Sequence, residues 1–357
     1  MKVFKKILKV LLIIVLLIVL GLGGLIGWLS AAEYKPADVV ALEPVSDGAE
    51  RVLPQNAELN ILGWNIGYAA LGAESDFLLD GGENLCAADR ADVDRYLAGI
   101  KAETERGGYD VLMLQEVDTD SKRTFSINEA EKLARGDSFH ALNYSCPYVP
   151  NPSTYFIKPF GRINSGLETC SVYEVERAER IALPCPFSWP LRTVNLKRCL
   201  LVSYLPIEGS DRQLVLVNLH LEAYDDGEGK AAQTKQLMDF LAEEYAKGNY
   251  VIAGGDFNQT FPGALEAYPI ELDEYWVPGV LEESALPEGF SYVYDLDTPS
   301  CRLLNRPYDP ADTQNTQHYV IDGFIVSDNV EVTLVETLDL GFENSDHNPV
   351  HIVVRLK

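Results

Sequence analysis

The stretch Tyr250-Val251-Ile252-Ala253-Gly254-Gly255-Asp256-Phe257-Asn258 decides how the rest of the chain is read. A short apolar run with β-branched members, closed by glycines, is the pattern of a buried strand. Here the strand runs out into a carboxylate and an amide. The same form recurs outward in both directions. Toward the amino terminus stand Asn218-Leu219-His220-Leu221-Glu222, Leu114-Gln115-Glu116-Val117-Asp118 and Gly63-Trp64-Asn65-Ile66-Gly67; toward the carboxy terminus stand Tyr319-Val320-Ile321-Asp322 and Ser345-Asp346-His347-Asn348-Pro349. A single carboxylate or amide at a strand end usually caps a turn, and a lone histidine is usually a satisfied side chain. Six such endings in succession are poorly explained by turn chemistry alone.

Around them the apolar pattern predicts strands over Leu59–Ile66, Asp110–Val117, Gly166–Val175, Cys199–Ile207, Gln213–Tyr224, Tyr250–Asn258, His318–Ser327, Val332–Leu340 and His347–Leu356. Helical patterns cover Asp89–Arg106 and Lys230–Lys247, the second with Leu237, Leu241 and Tyr245 on one face and Gly248 at its end. Hairpin-like strand pairs mixed with helices point to an α+β fold in which two sheets pack face to face with helices outside them.

The strand ends supply what a metal-assisted attack of water on a phosphorus ester needs. Glu116 and the Asn65 side-chain carbonyl, joined by Asp346, are oxygen ligands suited to a hard cation such as Mg²⁺, with Mn²⁺ as the alternative. Asp256 is an acceptor for the proton of an attacking water, and Asn258 beside it can hold a phosphate oxygen. Protonated His220 and His347 are donors for charge building on the non-bridging oxygens, with Asp322 as the partner that fixes the His347 tautomer.

With these residues in view, the chain resembles the endonuclease/exonuclease/phosphatase superfamily, through WNIG at 64–67, LQEVD at 114–118, NLHLEA at 218–223, GGDFN at 254–258, YVID at 319–322 and SDHNPV at 345–350, in that order over residues 58–357. The resemblance implies a four-layered α/β/β/α sandwich with its site at one edge and Mg²⁺-dependent hydrolysis of a phosphorus ester. It places Asn65 and Glu116 at the metal, Asp256 and Asn258 at the water and phosphate, and His220 with Asp322, Asp346 and His347 completing the site. NLHLEA and the anchored layout look closest to the sphingomyelinase-like and GPI-anchor-remodelling-related branches. The basic, aromatic-interleaved loops of duplex-gripping members are not found. Lys158 and Arg162 are read as solvated cations in preference to head-group contacts, and Tyr144, Tyr148, Tyr155, Phe156 and Phe160 as packing in preference to an apolar rim at a membrane. His140, His318 and His351 are read as structural.

Composition narrows the setting. With 47% hydrophobic and 23% charged residues, the 357-residue chain can bury a core, which excludes disordered, collagen-like and coiled-coil classes. Val10–Leu29 is an uncharged run of twenty residues, about 30 Å long as a helix at about 1.5 Å per residue, and so long enough to cross a bilayer. Lys2, Lys5, Lys6 and Lys9 precede it, which places residues 1–9 in the cytoplasm and the body outside. Cleavage after Ser30-Ala31-Ala32 would instead secrete the body. Gly23 and Gly27 make a GxxxG pair of little weight, and the oligomeric state is not fixed. Residues 30–57, with Pro36, Pro44 and Pro54, read as a linker to a catalytic domain at 58–357. The six cysteines show no metal spacing and leave pairing open. Beyond residue 32 the chain carries 25 basic against 54 acidic residues, a net of −29, which disfavours nucleic acid without excluding a local basic groove. A membrane-anchored, extracytoplasmic phosphodiesterase for a lipid head group or small phosphodiester is therefore the leading expectation. A surface nuclease, a phosphomonoesterase and a binding protein that has lost catalysis stand behind it.

Overall fold

The computed structural model describes residues 2–87, 89–151, 153–154, 158–225, 227–312 and 314–357; Tyr155 and Phe156 lie outside them. Two seven-stranded sheets form the body. The first contains β2 (Pro44–Ser46), β3 (Glu58–Asn65), β4 (Val111–Asp118), β5 (Asp137–Val149), β6 (Gly161–Ser171), β17 (Val330–Thr337) and β18 (Val350–Leu356), in the order β17-β18-β3-β4-β6-β5-β2. The second contains β1 (Val39–Ala41), β7 (Arg177–Ala182), β8 (Cys199–Pro206), β9 (Gln213–His220), β10 (Tyr250–Asp256), β13 (Phe290–Val293) and β16 (Asp322–Ser327), in the order β1-β7-β8-β9-β10-β16-β13. Two small ribbons, β11 (Gln259–Thr260) with β12 (Gly279–Val280) and β14 (Cys301–Arg302) with β15 (His318–Tyr319), lie in the loops.

The layering follows from strand alternation, which sends successive side chains to opposite faces. Leu59, Ile61, Val111 and Met113 of the first sheet meet Leu214, Leu216, Ile252 and Phe324 of the second in a buried inner core. Their neighbours Leu62, Trp64, Leu112 and Leu114 face outward and are covered by α2 (Arg90–Arg106) and α3 (Glu129–Leu133). Val215, Val217, Val251 and Ala253 face the other way, under Leu237, Met238 and Leu241 of α4 (Glu228–Ala246). The result is the expected α/β/β/α sandwich. Asp89 caps α2 by accepting from the Ala91 and Asp92 amides, and Gly248 follows α4 at φ +88°, the left-handed geometry that ends helices.

Three elements depart from the sequence pattern. β5, β7 and β13 were not expected: the longest, β5, breaks its alternation with two bulges, and the other two are short and rich in charged or polar residues. The expected strand 318–327 is divided into β15 and β16, with Val320 and Ile321 buried between them. The linker is not a free tether. β1 pairs with β7 and β2 with β5, Leu53 is fully buried, and residues 39–53 thus close an edge of each sheet. Strands of three residues among prolines are too brief to show a period. The helix α1 (Lys2–Ala31) is longer than the uncharged run because its lysine-bearing turn is also helical. All six cysteines are free thiols.

Candidate active site

Parallel pairing of β3 with β4 and of β9 with β10 brings four strand ends to one edge of the sandwich. Antiparallel β16 and β18 begin at the same edge. Asp256 on β10 stands in register with His220 on β9 and with Asp322 on β16, so the three side chains share a face. That close approach depends on Gly255 at φ +138°, where an added Cβ would lie 2.1 Å from the Leu219 carbonyl oxygen. Glu116 reaches the edge by another device. β4 bulges between Leu114 and Val117, and Glu116 takes φ +57°, which re-aims its carboxylate.

All eight residues singled out from the sequence meet here. Glu116, His220, Asp256, Asn258, Asp346 and His347 line one cavity of about 510 Å³, while Asn65 and Asp322 stand behind it. The Asn65 amide nitrogen lies 3.0 Å from Asp256 Oδ2 and 3.2 Å from Glu116 Oε1, and its oxygen accepts from the Gly67 amide at 3.1 Å. Asn65 thus donates to the two carboxylates in this arrangement; a half turn of the amide would present the oxygen expected of a metal ligand. Asp256 is also held by the Asn258 backbone N–H at 2.8 Å, and the Asn258 side chain donates to the Leu221 carbonyl at 2.9 Å, leaving its second N–H for a ligand. His347 Nδ1 meets Asp322 Oδ2 at 2.8 Å, and Ser300 Oγ donates to the same oxygen at 2.8 Å. The other ring nitrogen of His347 faces Asp256 at 3.9 Å and Asp346 at 3.8 Å.

Electrostatics separates the two imidazoles that were expected to be protonated alike. Burial disfavours charge on His347, but the carboxylates of Asp322 and Asp346 outweigh it and hold the ring well above its ordinary value. Burial pushes His220 well below its ordinary value, and the cations Arg198 and His347 add to the effect. The surroundings thus favour the charged form of His347 and the neutral form of His220, whose Nε2 lies 3.3 Å from Asp256. Burial and the Asp322 charge push Asp256 up to about 6. Burial, with Glu116 nearby, pushes Asp346 up to about 7.

Sequence reading missed three arginines that line the cavity, Arg123, Arg198 and Arg302. They sit outside the strand-end motifs, so no spacing announced them. Arg123 is bound to Asp118 at 2.8 and 2.9 Å, and Arg302 bonds the Gly72 and Ser75 carbonyls. Arg198 is different. It is 4% exposed, and its Nε and Nη1 have no hydrogen-bond partner among the described residues. Arg162 pairs with Asp120 on the surface, and His140 and His351 bond to the Val117 carbonyl and to Glu336, which agrees with their structural reading. His318 stacks on Phe342.

A two-sheet sandwich with carboxylates, amides and an Asp–His pair at one edge has the groups that a metal-dependent phosphoester hydrolase uses. The sequence profile of the endonuclease/exonuclease/phosphatase family matches residues 62–347, and the chain belongs to that family. Comparison with curated proteins found no match. Among solved structures, the endonuclease/exonuclease/phosphatase from Beutenbergia cavernae is similar at 17% identity and a TM-score of 0.55, over 84% of this chain and 72% of that one. The one from Bacteroides vulgatus is similar at 14% identity and a TM-score of 0.52, over 84% of this chain and all of the other. ANGEL2, a 2′,3′-cyclic phosphatase in complex with adenosine-2′,3′-vanadate, has 16% identity and a TM-score of 0.50, over 84% and 96% of the two chains. At such identities these likenesses speak to the fold.

Proposed function

We propose that the protein is a membrane-anchored, extracytoplasmic, Mg²⁺-dependent phosphodiesterase acting on a lipid head group, in the manner of the sphingomyelinase-like branch. The observation that carries this reading is the convergence of Glu116 and Asp346 with the Asp256, His347 and Asp322 group in one cavity. The donor set fits a hard cation, because Glu116 and the buried Asp346 and Asp256 bring carboxylate oxygens to one cavity. Glu116 and Asp346 would hold the ion, with Asn65 after rotation of its amide. A divalent cation held by these residues would supply positive charge to offset that of the phosphoryl group.

The remaining work falls to the chain's own residues. Asp256, oriented by Asn65 and the Asn258 amide, accepts a proton as the water oxygen bonds to phosphorus. The imidazolium of His347 faces the developing charge, with Asp322 fixing its ring. The P–O ester bond breaks, the leaving oxygen takes a proton from solvent to depart as the alcohol, a phosphomonoester remains, and Asp256 returns its proton to solvent. The helix α1 supports the anchoring: it is the one described helix long and apolar enough to cross a membrane, and Lys2, Lys5, Lys6 and Lys9 at its start favour a cytoplasmic amino terminus.

Phosphorus NMR on mixed liposomes of sphingomyelin, phosphatidylcholine and phosphatidylinositol, beside short DNA, tests the reading. Loss of one lipid signal is expected with Mg²⁺, none with EDTA, and a drop of about 10²–10⁴-fold in rate for Asp256→Asn. Cleavage of DNA alone would sink the lipid assignment, and full activity in EDTA would sink the metal.

A further inference from the structure

The catalytic cavity has apolar as well as polar lining. One end carries His220, Asp256, Asp346 and His347; the other is walled by Tyr144, Val149, Phe160 and Ile163. Those same four side chains pack in one cluster with Leu29 of α1, and Leu25 packs against that cluster. The wall that lines the cavity therefore also seats the end of the membrane helix. Polar contacts fix this seat. The Trp189 indole donates to Ser30 Oγ at 2.9 Å, and Glu33 just beyond the helix pairs with Arg192 at 3.2 Å and Lys197 at 3.5 Å.

From the seat, α1 leaves the body at once: Leu22, Leu20 and the apolar residues before them are 45% or more exposed. At about 1.5 Å of rise per residue, Leu20 is about 14 Å from Leu29, so the bilayer begins close to the cavity. Trp28, Trp189 and Leu191 are about half exposed or more around the helix end, the place where aromatic side chains meet a membrane surface, and Leu191 also lines the cavity. Deeper in, the buried Arg198 lines the cavity; its Nε is ion-paired with the equally buried Glu222 at 3.8 Å, and its Nη1 has no hydrogen-bond partner among the described residues, which leaves a donor for a phosphate oxygen.

We propose that the substrate is a phosphoester lipid drawn from the bilayer around α1, its phosphate held between the catalytic group and Arg198 and an apolar chain lodged against the wall that seats the helix. The proposal rests on the phosphodiesterase reading and adds the requirement for a chain. About 510 Å³ is within the usual range of ligand pockets, about 300–1,000 Å³.

The experiment uses full-length protein in proteoliposomes with Mg²⁺ and three substrates: a long-chain phosphodiester lipid, its short-chain analogue and bis(p-nitrophenyl) phosphate. For the wild type, kcat/KM should rise at least about tenfold from the short-chain to the long-chain lipid. Ile163→Trp, which fills the apolar end, should cost the long-chain lipid at least about tenfold more than the soluble diester, and Arg198→Gln should raise KM for both lipids. Independence of chain length in the wild type overturns the proposal even where the Ile163 variant does not fold, as does equal loss on all substrates in a folded variant. Hydrolysis of the soluble diester and of neither lipid leaves the phosphoesterase intact and removes the lipid. Silence on every substrate removes the phosphodiesterase reading itself.

Discussion

At the scale of single residues, the chain buries an ionisable carboxyl outside the lining of its cavity. Glu168 on β6 is fully buried, accepts from Ser138 Oγ at 2.7 Å through one oxygen, and has no hydrogen-bond partner for the other among the described residues. Burial pushes its carboxyl up to about 8. The folded-state value lies above that of the unfolded chain, so folding keeps a proton that the unfolded chain releases. Stability therefore falls as pH rises from about 4.5 to about 8 and levels off beyond. Glu168→Gln keeps the hydrogen-bonding oxygen and removes the ionisable group. It should flatten this part of the profile, gaining on the order of a few kcal/mol at pH 8 relative to pH 5. Urea unfolding across that range measures it, and an unchanged slope would mean that Glu129, which burial also raises well above the ordinary carboxylate range, carries the proton instead.

At the scale of elements, the two sheets are clipped together beneath the site. Asn218 on β9 donates to the Leu114 carbonyl at 3.1 Å and the Glu168 carbonyl at 2.9 Å, and accepts from Gln115 on β4 at 2.8 Å. Asn218→Leu would leave the Gln115 amide and two carbonyls short of partners in a dry interior. A loss of about 2–4 kcal/mol is expected, read as a lower urea midpoint, with activity at 25 °C reduced less than stability. Asn218 also shows how far the sequence reading reached. It stands inside the NLHLEA motif, yet its work is to join sheets, and a motif does not tell a structural amide from a catalytic one. Asp256, His220 and Asp322 were legible because parallel and antiparallel pairing delivers strand ends to a common edge, and apolar runs locate strand ends well. Glu116 was found through the strand-ending LQEVD stretch, but how it is aimed was not legible, since the bulge and left-handed backbone leave no periodic trace. Arg198 escaped because it precedes β8 instead of ending a strand. The edge strands β1 and β2 escaped because pairing with a partner distant in sequence, and not their own pattern, makes them strands.

At the scale of the whole molecule, the anchoring proposed above would hold a body of net charge −29 beyond residue 32 beside a bilayer, on a helix whose end packs against that body. The tether fixes the local concentration, so charge alters how the body meets the surface more than whether it arrives. Near the helix end the balance is locally reversed, because Lys35, Arg192 and Lys197 surround the single Glu33. The two effects act over different distances. At about 0.01 M salt, with a Debye length of about 30 Å, the acidic body as a whole feels an anionic membrane; near 0.15 M, at about 8 Å, only the basic cluster close to the surface does. Full-length protein in proteoliposomes of a zwitterionic substrate lipid should therefore slow when part of the non-substrate lipid is made anionic at low salt, by about two- to fivefold, each 1.4 kcal/mol of repulsion being worth a factor of about ten. The penalty should vanish or reverse as salt is raised to about 0.15 M. A rate that anionic lipid increases most at the lowest salt would show instead that the basic cluster around Glu33 governs the approach at all distances, and that the acidic surface is turned away from the bilayer.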